Sequence, residues 1–236
     1  MSLMPYSTKI TAIAGVTGVI LAGGESSRMG SNKALLPYRG GRFIESIYRQ
    51  LSGLFDEVLV VTNTPEQYAF LGCRMVSDIY HGMGALAGLH AGLVNSRTPH
   101  IFSVACDMPY LNDALIRALV ARRHRGDVII PESDDGLEPL HAVYCRSCLP
   151  AMDTALQAGK RRLVSFYSEI QAVIFPGNTV RFVDPDFNSF RNINTPEDYY
   201  NLRDGEREGC KDSQNDNKTA LTGGAGMRRL SLAATH

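Results

Sequence analysis

The sequence predicts an α/β fold of three layers, with helices on both faces of a mostly parallel, Rossmann-like sheet. Three observations carry that reading. Short apolar, β-branched runs alternate with segments of helical period, the pattern of right-handed crossovers between parallel strands. The first apolar run ends in a glycine-rich turn, Ala22-Gly23-Gly24. Three further runs each end in a single polar residue: Asn63, Asp78 and Asp107. In an open parallel sheet the carboxyl ends of the strands form one edge, and ligands bind there.

The elements follow in order. Val16 to Leu21 is a buried strand by composition. Phe43, Ile44, Ile47, Tyr48, Leu51 and Leu54 recur at three- and four-residue spacing, which predicts a helix. Glu57 to Thr62 reads as a strand ending at Asn63, Pro65 opens a short helix, and Arg74 to Ser77 is a strand ending at Asp78. Ala85 to Val94 is helical, and Gly84, Gly88 and Gly92 allow it to pack closely on the sheet. Ile101 to Ala105 is a buried strand ending at Cys106-Asp107-Met108-Pro109. Asn112 is positioned to cap a helix through Arg122. Asp127 to Ile130, Pro139 to Tyr144 and Val180 to Val183 read as strands, and Ala151 to Ala158 and Leu163 to Tyr167 as short helices. Asn192-Ile-Asn-Thr-Pro-Glu-Asp198 supplies a cap, a proline at the first helical position and acids in the first turn, so a helix begins near Pro196. Residues 1–15 are taken as an N-terminal extension, 16–203 as one catalytic domain, and 204–236 as a polar, mobile tail.

The stretch after the first strand carries the chemistry. Glycines let the backbone turn tightly and bring its N–H groups close to a ligand. Arg28 and Lys33 stand beyond Gly23, Gly24 and Gly30, an arrangement suited to a polyanion such as a triphosphate. The spacing is neither a Walker loop, which needs Gly-Lys-Ser/Thr, nor the dinucleotide pattern G-x-G-x-x-G. Asp107, held at a strand end before Pro109, suits Mg²⁺, which takes one or two carboxylates alongside phosphate oxygens and water. Asn63 could read a purine edge, and Asp78 could accept the paired donors of guanine; each could equally cap a turn.

Bulk properties bound the alternatives. The chain has 236 residues, enough for one large α/β domain or two small ones, and 44% of them are apolar. With 24 basic and 24 acidic residues a broad nucleic-acid face is not expected. Five scattered cysteines do not make a secreted disulfide framework. Cys145 and Cys148 read as small residues at a strand end, because no second pair or histidine cluster accompanies them as in a zinc site. The apolar N-terminal stretch ends in the phosphate loop, so it reads as a strand and not an export signal, and no run is long enough for a membrane span. A cytoplasmic protein is expected. His90, His100 and His124 read as structural; His141 reads as core, or as facing the acceptor's pocket.

The pattern Leu-Ala-Gly-Gly-x-Ser-x-Arg-Met-Gly-x-x-Lys, Leu21 to Lys33, resembles the signature loop of the molybdenum cofactor guanylyltransferases, the MobA family. Val60-Val-Thr-Asn63, Asp78 with Gly84-Ala-Leu-Ala-Gly88, Cys106-Asp-Met-Pro109, Glu138-Pro-Leu-His-Ala-Val-Tyr144 and Asn192 to Asp198 resemble its successive blocks, from about Val16 to Arg203. Ala85 departs from the proline usual there. The resemblance implies nucleotide contacts at Leu21, Ala22, Gly23, Gly24, Lys33, Asn63, Asp78, Gly84, Gly88 and Asp107. It implies Asp107 on Mg²⁺, Arg28 and Lys33 in catalysis, and Asn192 and Asn194 near the molybdopterin. The implied activity is transfer of GMP from GTP to the terminal phosphate of molybdenum-molybdopterin, releasing pyrophosphate. A molybdenum-insertion protein and acceptor molybdoenzymes would be further partners. The rival readings are a cytidylyltransferase for the same cofactor, another small-molecule nucleotidyltransferase, and a non-catalytic nucleotide- or cofactor-binding protein on the same fold.

Overall fold

The computed structural model describes residues 12–23, 32–193, 195 and 197–200. In chain order its elements are β1 (Val16–Leu21), β2 (Pro37–Tyr38), β3 (Gly41–Arg42), α1 (Phe43–Leu54), β4 (Val58–Val61), β5 (Arg74–Val76), α2 (Ala85–Asn95) and β6 (His100–Ala105). There follow α3 (Asp113–Val120), β7 (Val128–Ser133), β8 (Gly136–Leu137), β9 (Ala142–Cys145), α4 (Leu149–Gln157), β10 (Ala172–Phe175) and α5 (Gly177–Val180), with short 3₁₀ turns between. Residues 1–194 and 195–236 form two units. In the second, the Thr195 hydroxyl accepts from the Asp198 N–H, and the Asp198 carboxylate accepts from the Thr195 N–H. That reciprocal capping box starts the helix expected there.

The main sheet has the order β10-β7-β9-β6-β1-β4-β5. The pairs β5·β4, β4·β1, β1·β6 and β7·β10 are parallel. β9 runs antiparallel to both β6 and β7. Side chains alternate across the strands. On one face Ile20, Val60, Phe102, Val104 and Ile129 meet Ile44, Ile47 and Leu51 of α1 and Leu115, Ile116 and Leu119 of α3. On the other, Val19, Leu21, Leu59, Val61 and Ile101 meet Leu86, Leu89 and Leu93 of α2 and Met152 and Leu156 of α4. Each such side chain removed from water contributes roughly 1.5–3 kcal/mol, so the layers are fixed by the alternating pattern itself. As expected, Asn112 caps α3, its side-chain oxygen accepting from the N–H groups of Ala114 and Leu115.

The chain passes from β1 to β4 on one side of the sheet's centre, then returns from β5 through α2 to place β6 on the other side of β1. The strand order therefore reverses between β1 and β6. Their carboxyl ends lie side by side at this switch point, the preferred ligand position in such sheets.

Two expectations are corrected. Val180 to Val183 is not a strand: α5 and the turn after it occupy this stretch, with the Val183 N–H donating to the Val180 carbonyl at 3.0 Å. Val180 is wholly buried, and packing overrides the β-preference of valine. The strand expected from Pro139 begins only at Ala142, since the Pro139 carbonyl accepts the Tyr144 hydroxyl at 2.7 Å instead of a ladder bond. β10 is an edge strand for which no strand was expected. Ile13, assigned to the extension, pairs in a bridge with Phe55. Among the described residues no helix is long and apolar enough to cross a membrane.

Candidate active site

The Leu21 carbonyl, at the end of β1, accepts the Cys106 N–H at 3.1 Å, so the glycine turn and Asp107 leave the sheet side by side. On the other flank the Ala22 N–H donates to the Val61 carbonyl at 2.8 Å. Leu21 and Ala22 are buried, whereas Gly23 is exposed, with open space where a side chain would stand. Gly24, Gly30, Arg28 and Asn194 lie outside the described residues.

Asn32 and Tyr68 link the turn at Lys33 to the end of β1. The Asn32 side chain accepts the Ala34 N–H and so caps the 3₁₀ turn that begins at Lys33. Its amide donates to the Tyr68 hydroxyl at 2.8 Å and to Gln67 at 2.7 Å. The Tyr68 hydroxyl in turn reaches the Ala22 carbonyl at 3.5 Å, a long contact. Neither residue was among the expected site residues. The sequence held a signal for Asn32, a capping residue directly before Lys33; Tyr68 is brought in only by the fold.

Asp107 is partly buried at the end of β6. Burial pushes its carboxyl above the usual aspartate range, opposed by the positive charge of Lys33 and by its own backbone N–H. A carboxylate in this position gains from a cation beside it. Behind it, the Asp107 carbonyl accepts the Ile193 N–H at 3.0 Å, which lays residues 191–193 along the same edge. Exposed Asn192 is thereby brought beside Asp107 from far along the chain.

Asn63 and Asp78 form a closed pair. The Asn63 amide donates to the Asp78 carboxylate at 3.0 Å, and the Asp78 N–H donates to the Asn63 side-chain oxygen at 3.0 Å. The pair joins the ends of β4 and β5 and fixes one carboxylate oxygen, leaving the other lone pairs for a ligand. Gly88 lies beneath: a side chain there would stand 3.6 Å from Asp78 Oδ1 and 3.6 Å from Leu21 Cδ2. Gly88 thus acts through packing under the site. Gly84, at φ +70°, takes a conformation that favours glycine and starts α2. Ala85 is the first residue of that helix, a position that also accepts the proline it replaces.

Several candidates lie elsewhere. Cys145 pairs with His100, at the opposite edge of the sheet. Cys148 is buried, which pushes its thiol up to about 12, and it donates to the Asp127 carbonyl. This is a packed residue, not a reactive one. His141 is wholly buried between the rings of Phe102 and Phe190, at 5.0 and 5.3 Å, as the core reading expected. His90, by contrast, has a partner that the sequence did not disclose, Asp153 at 2.9 Å.

Comparison with known proteins adds the family. Residues 18–172 match the MobA-like NTP transferase domain. A molybdenum cofactor guanylyltransferase of Desulfosudis oleivorans is 37% identical over 185 residues, covering 78% of this chain and 92% of that protein. A probable molybdenum cofactor guanylyltransferase of Peptoclostridium acidaminophilum is 32% identical over 189 residues, covering 77% and 86%. Among solved structures, the molybdopterin-guanine dinucleotide biosynthesis protein A of Archaeoglobus fulgidus superposes with a TM-score of 0.70 at 27% identity, covering 83% of this chain and 99% of that one.

Proposed function

The chain belongs to the MobA-like NTP transferase family, and on that premise we propose that it is a molybdenum cofactor guanylyltransferase, using GTP and molybdenum-molybdopterin as substrates. The observation that carries the reading is that four separate segments reach one edge of the sheet: the end of β1 with Gly23, the Asn63–Asp78 pair, Asp107, and residues 191–193.

The roles follow from position and charge. Exposed Gly23 permits close approach of its backbone to the triphosphate, and Gly24 is assigned to the same contact. Lys33 binds phosphate oxygens, and Arg28 meets the charge that grows on the leaving pyrophosphate. Asp78 accepts the paired N–H donors of guanine, held in register by Asn63. Asn192 and Asn194 are assigned to molybdopterin binding. The acceptor phosphate is ionised at neutral pH and needs no general base, so these residues act by holding two anions in line and screening their repulsion.

The family's divalent metal fits this site as Mg²⁺. An ion of this kind needs one or two carboxylates and is otherwise held by phosphate and water. Asp107 is a partly buried carboxylate whose ionised form burial disfavours, and a bound cation would offset that cost. When bound, the metal supplies charge neutralisation on the phosphates.

The reading is tested by equilibrium binding of GTP, CTP, ATP and UTP in the presence of Mg²⁺. GTP is expected to bind tightest, because a site built around paired donors rejects bases that lack them. Equal or tighter binding of CTP would overturn the guanylyl assignment.

A further inference from the structure

Asp78 is held from one side by Asn63. Two residues on, Tyr80 is held from another. Its hydroxyl donates to Asp153 Oδ1, in α4, at 2.8 Å. The same oxygen accepts His90 Nε2, in α2, at 2.9 Å. The Tyr80 and His90 rings meet edge to face, with centroids 5.2 Å apart. His90 is 3% exposed, and burial holds it below the usual histidine range, against the pull of Asp153. It is therefore a neutral ring donating from Nε2, and one Asp153 oxygen accepts both hydrogen bonds. Tyr80 itself is pushed above the usual phenol range, first by donating to Asp153.

The tether adds a fixed direction to a loop that is otherwise held by packing, Tyr80 and Met83 lying against the core. Between Asp78 and Tyr80 stands only Ile79, 53% exposed. Beyond it come Gly82 and Gly84, both at positive φ, and a turn in which the Met83 N–H reaches the Tyr80 carbonyl at 3.4 Å. A carboxylate that must accept two donors of one base has to be fixed in angle as well as in place.

We propose that Tyr80, anchored by Asp153 and His90, is a specificity-determining residue that positions the Asp78 carboxylate for the guanine base. The proposal rests on the reading of Asp78 as the base acceptor. Tyr80 acts through Asp78 and does not touch the reacting atoms. Breaking its tether leaves the triphosphate site intact and loosens only the base contact.

The test compares binding of GTP with inosine triphosphate, which lacks the 2-amino donor, in the full chain with Mg²⁺. Tyr80→Phe removes one oxygen and keeps the ring contact with His90. It is expected to weaken GTP binding by roughly three- to tenfold, the worth of one hydrogen bond, and to shrink the preference for GTP over inosine triphosphate by a similar factor. Asp153→Ala should do the same, and Asp153→Asn, which keeps an acceptor oxygen, should restore most of the preference. Asp78→Asn serves as the reference. If it leaves GTP binding unchanged, the base-acceptor reading fails and this proposal with it. If it abolishes the preference while Tyr80→Phe and Asp153→Ala retain it, the tether alone is overturned, even where thermal unfolding shows those variants to be less stable. A reduced preference in Tyr80→Phe, with no further loss when Tyr80→Phe is added to Asp78→Asn, supports the proposal.

Discussion

At the scale of single residues, Asp107 and Lys33 form one electrostatic unit, because the cation offsets part of the cost of burying the carboxylate. Asp107→Asn keeps size and polarity while removing the charge that holds the metal. Metal stabilisation of transferring phosphates is worth several kcal/mol, so kcat is expected to fall at least about 10²-fold. Thermal unfolding should be no lower than in the parent, since a neutral amide is cheaper to bury than an anion. Pyrophosphate release within a few-fold of the parent would remove Asp107 from the metal site. Lys33→Ala is expected to raise KM for GTP about tenfold, through loss of a charge-assisted contact. It has a second signature. Asp107 must be ionised to hold a cation, and its pKa already stands above the usual 3.8. Taking away the Lys33 charge raises it further, so the acid limb of kcat/KM should move to higher pH. A pH–rate profile with an unmoved acid limb would show that the two side chains do not act together.

At the scale of elements, α2 approaches the sheet so closely that one of its glycines is obligatory and another is not. A side chain at Gly92 would stand 2.7 Å from Val19 Cγ1, inside any real contact distance. A side chain at Gly88 would meet its neighbours at 3.6 Å, an ordinary van der Waals distance. Gly92→Ala is therefore expected to cost about 1–3 kcal/mol by forcing helix and strand apart. Gly88→Ala should be neutral or gain up to about 1 kcal/mol from helix propensity. Urea unfolding of both variants checks this, and equal midpoints would contradict the packing geometry. The same helix carries Gly84 at its start and His90 in its middle, so its fit against the sheet also sets the loop that bears Asp78 and Tyr80.

Across the whole molecule, His141 joins β9 to the segment that returns to the active edge. It packs between Phe102 of β6 and Phe190, and both its ring nitrogens lack a partner among the described residues. Burial lowers its pKa to about 3, with the Asp184 carboxylate pulling the other way. The unfolded chain would bind a proton near the usual 6.5, so protonation favours unfolding. Stability is then full above about pH 6.5 and declines as pH falls toward the folded value. At pH 5 the His141 share of the loss is about 2 kcal/mol. His90 and His100 are also shifted downward and add to the loss in the same window. His141→Phe should flatten the fall in unfolding free energy between pH 6.5 and 5 by that share, whatever it does to stability at pH 8. An unchanged slope in denaturant titrations at both pH values would show that His141 is not held neutral.

The sequence by itself determined the layers and the edge. Strand and helix periods are local, so α1 could be read from Phe43 to Leu54 and β6 nearly to the residue. Polar residues that end apolar runs fall on one sheet edge by topology alone, which is why Asn63, Asp78 and Asp107 were legible without coordinates. Local pattern misled where packing decides. Val180 is β-branched yet helical because it is buried in a turn, and β9 starts later than its composition suggests, with the Pro139 carbonyl taken by the Tyr144 hydroxyl. Only the tertiary structure could pair Asn63 with Asp78, set Ile193 on Asp107, and close Tyr80 onto Asp153 and His90. Each of these contacts joins residues remote in sequence, with geometry fixed by how two layers meet; no spacing along the chain encodes such a distance, and the strand order that creates the switch point is itself a property of the folded sheet.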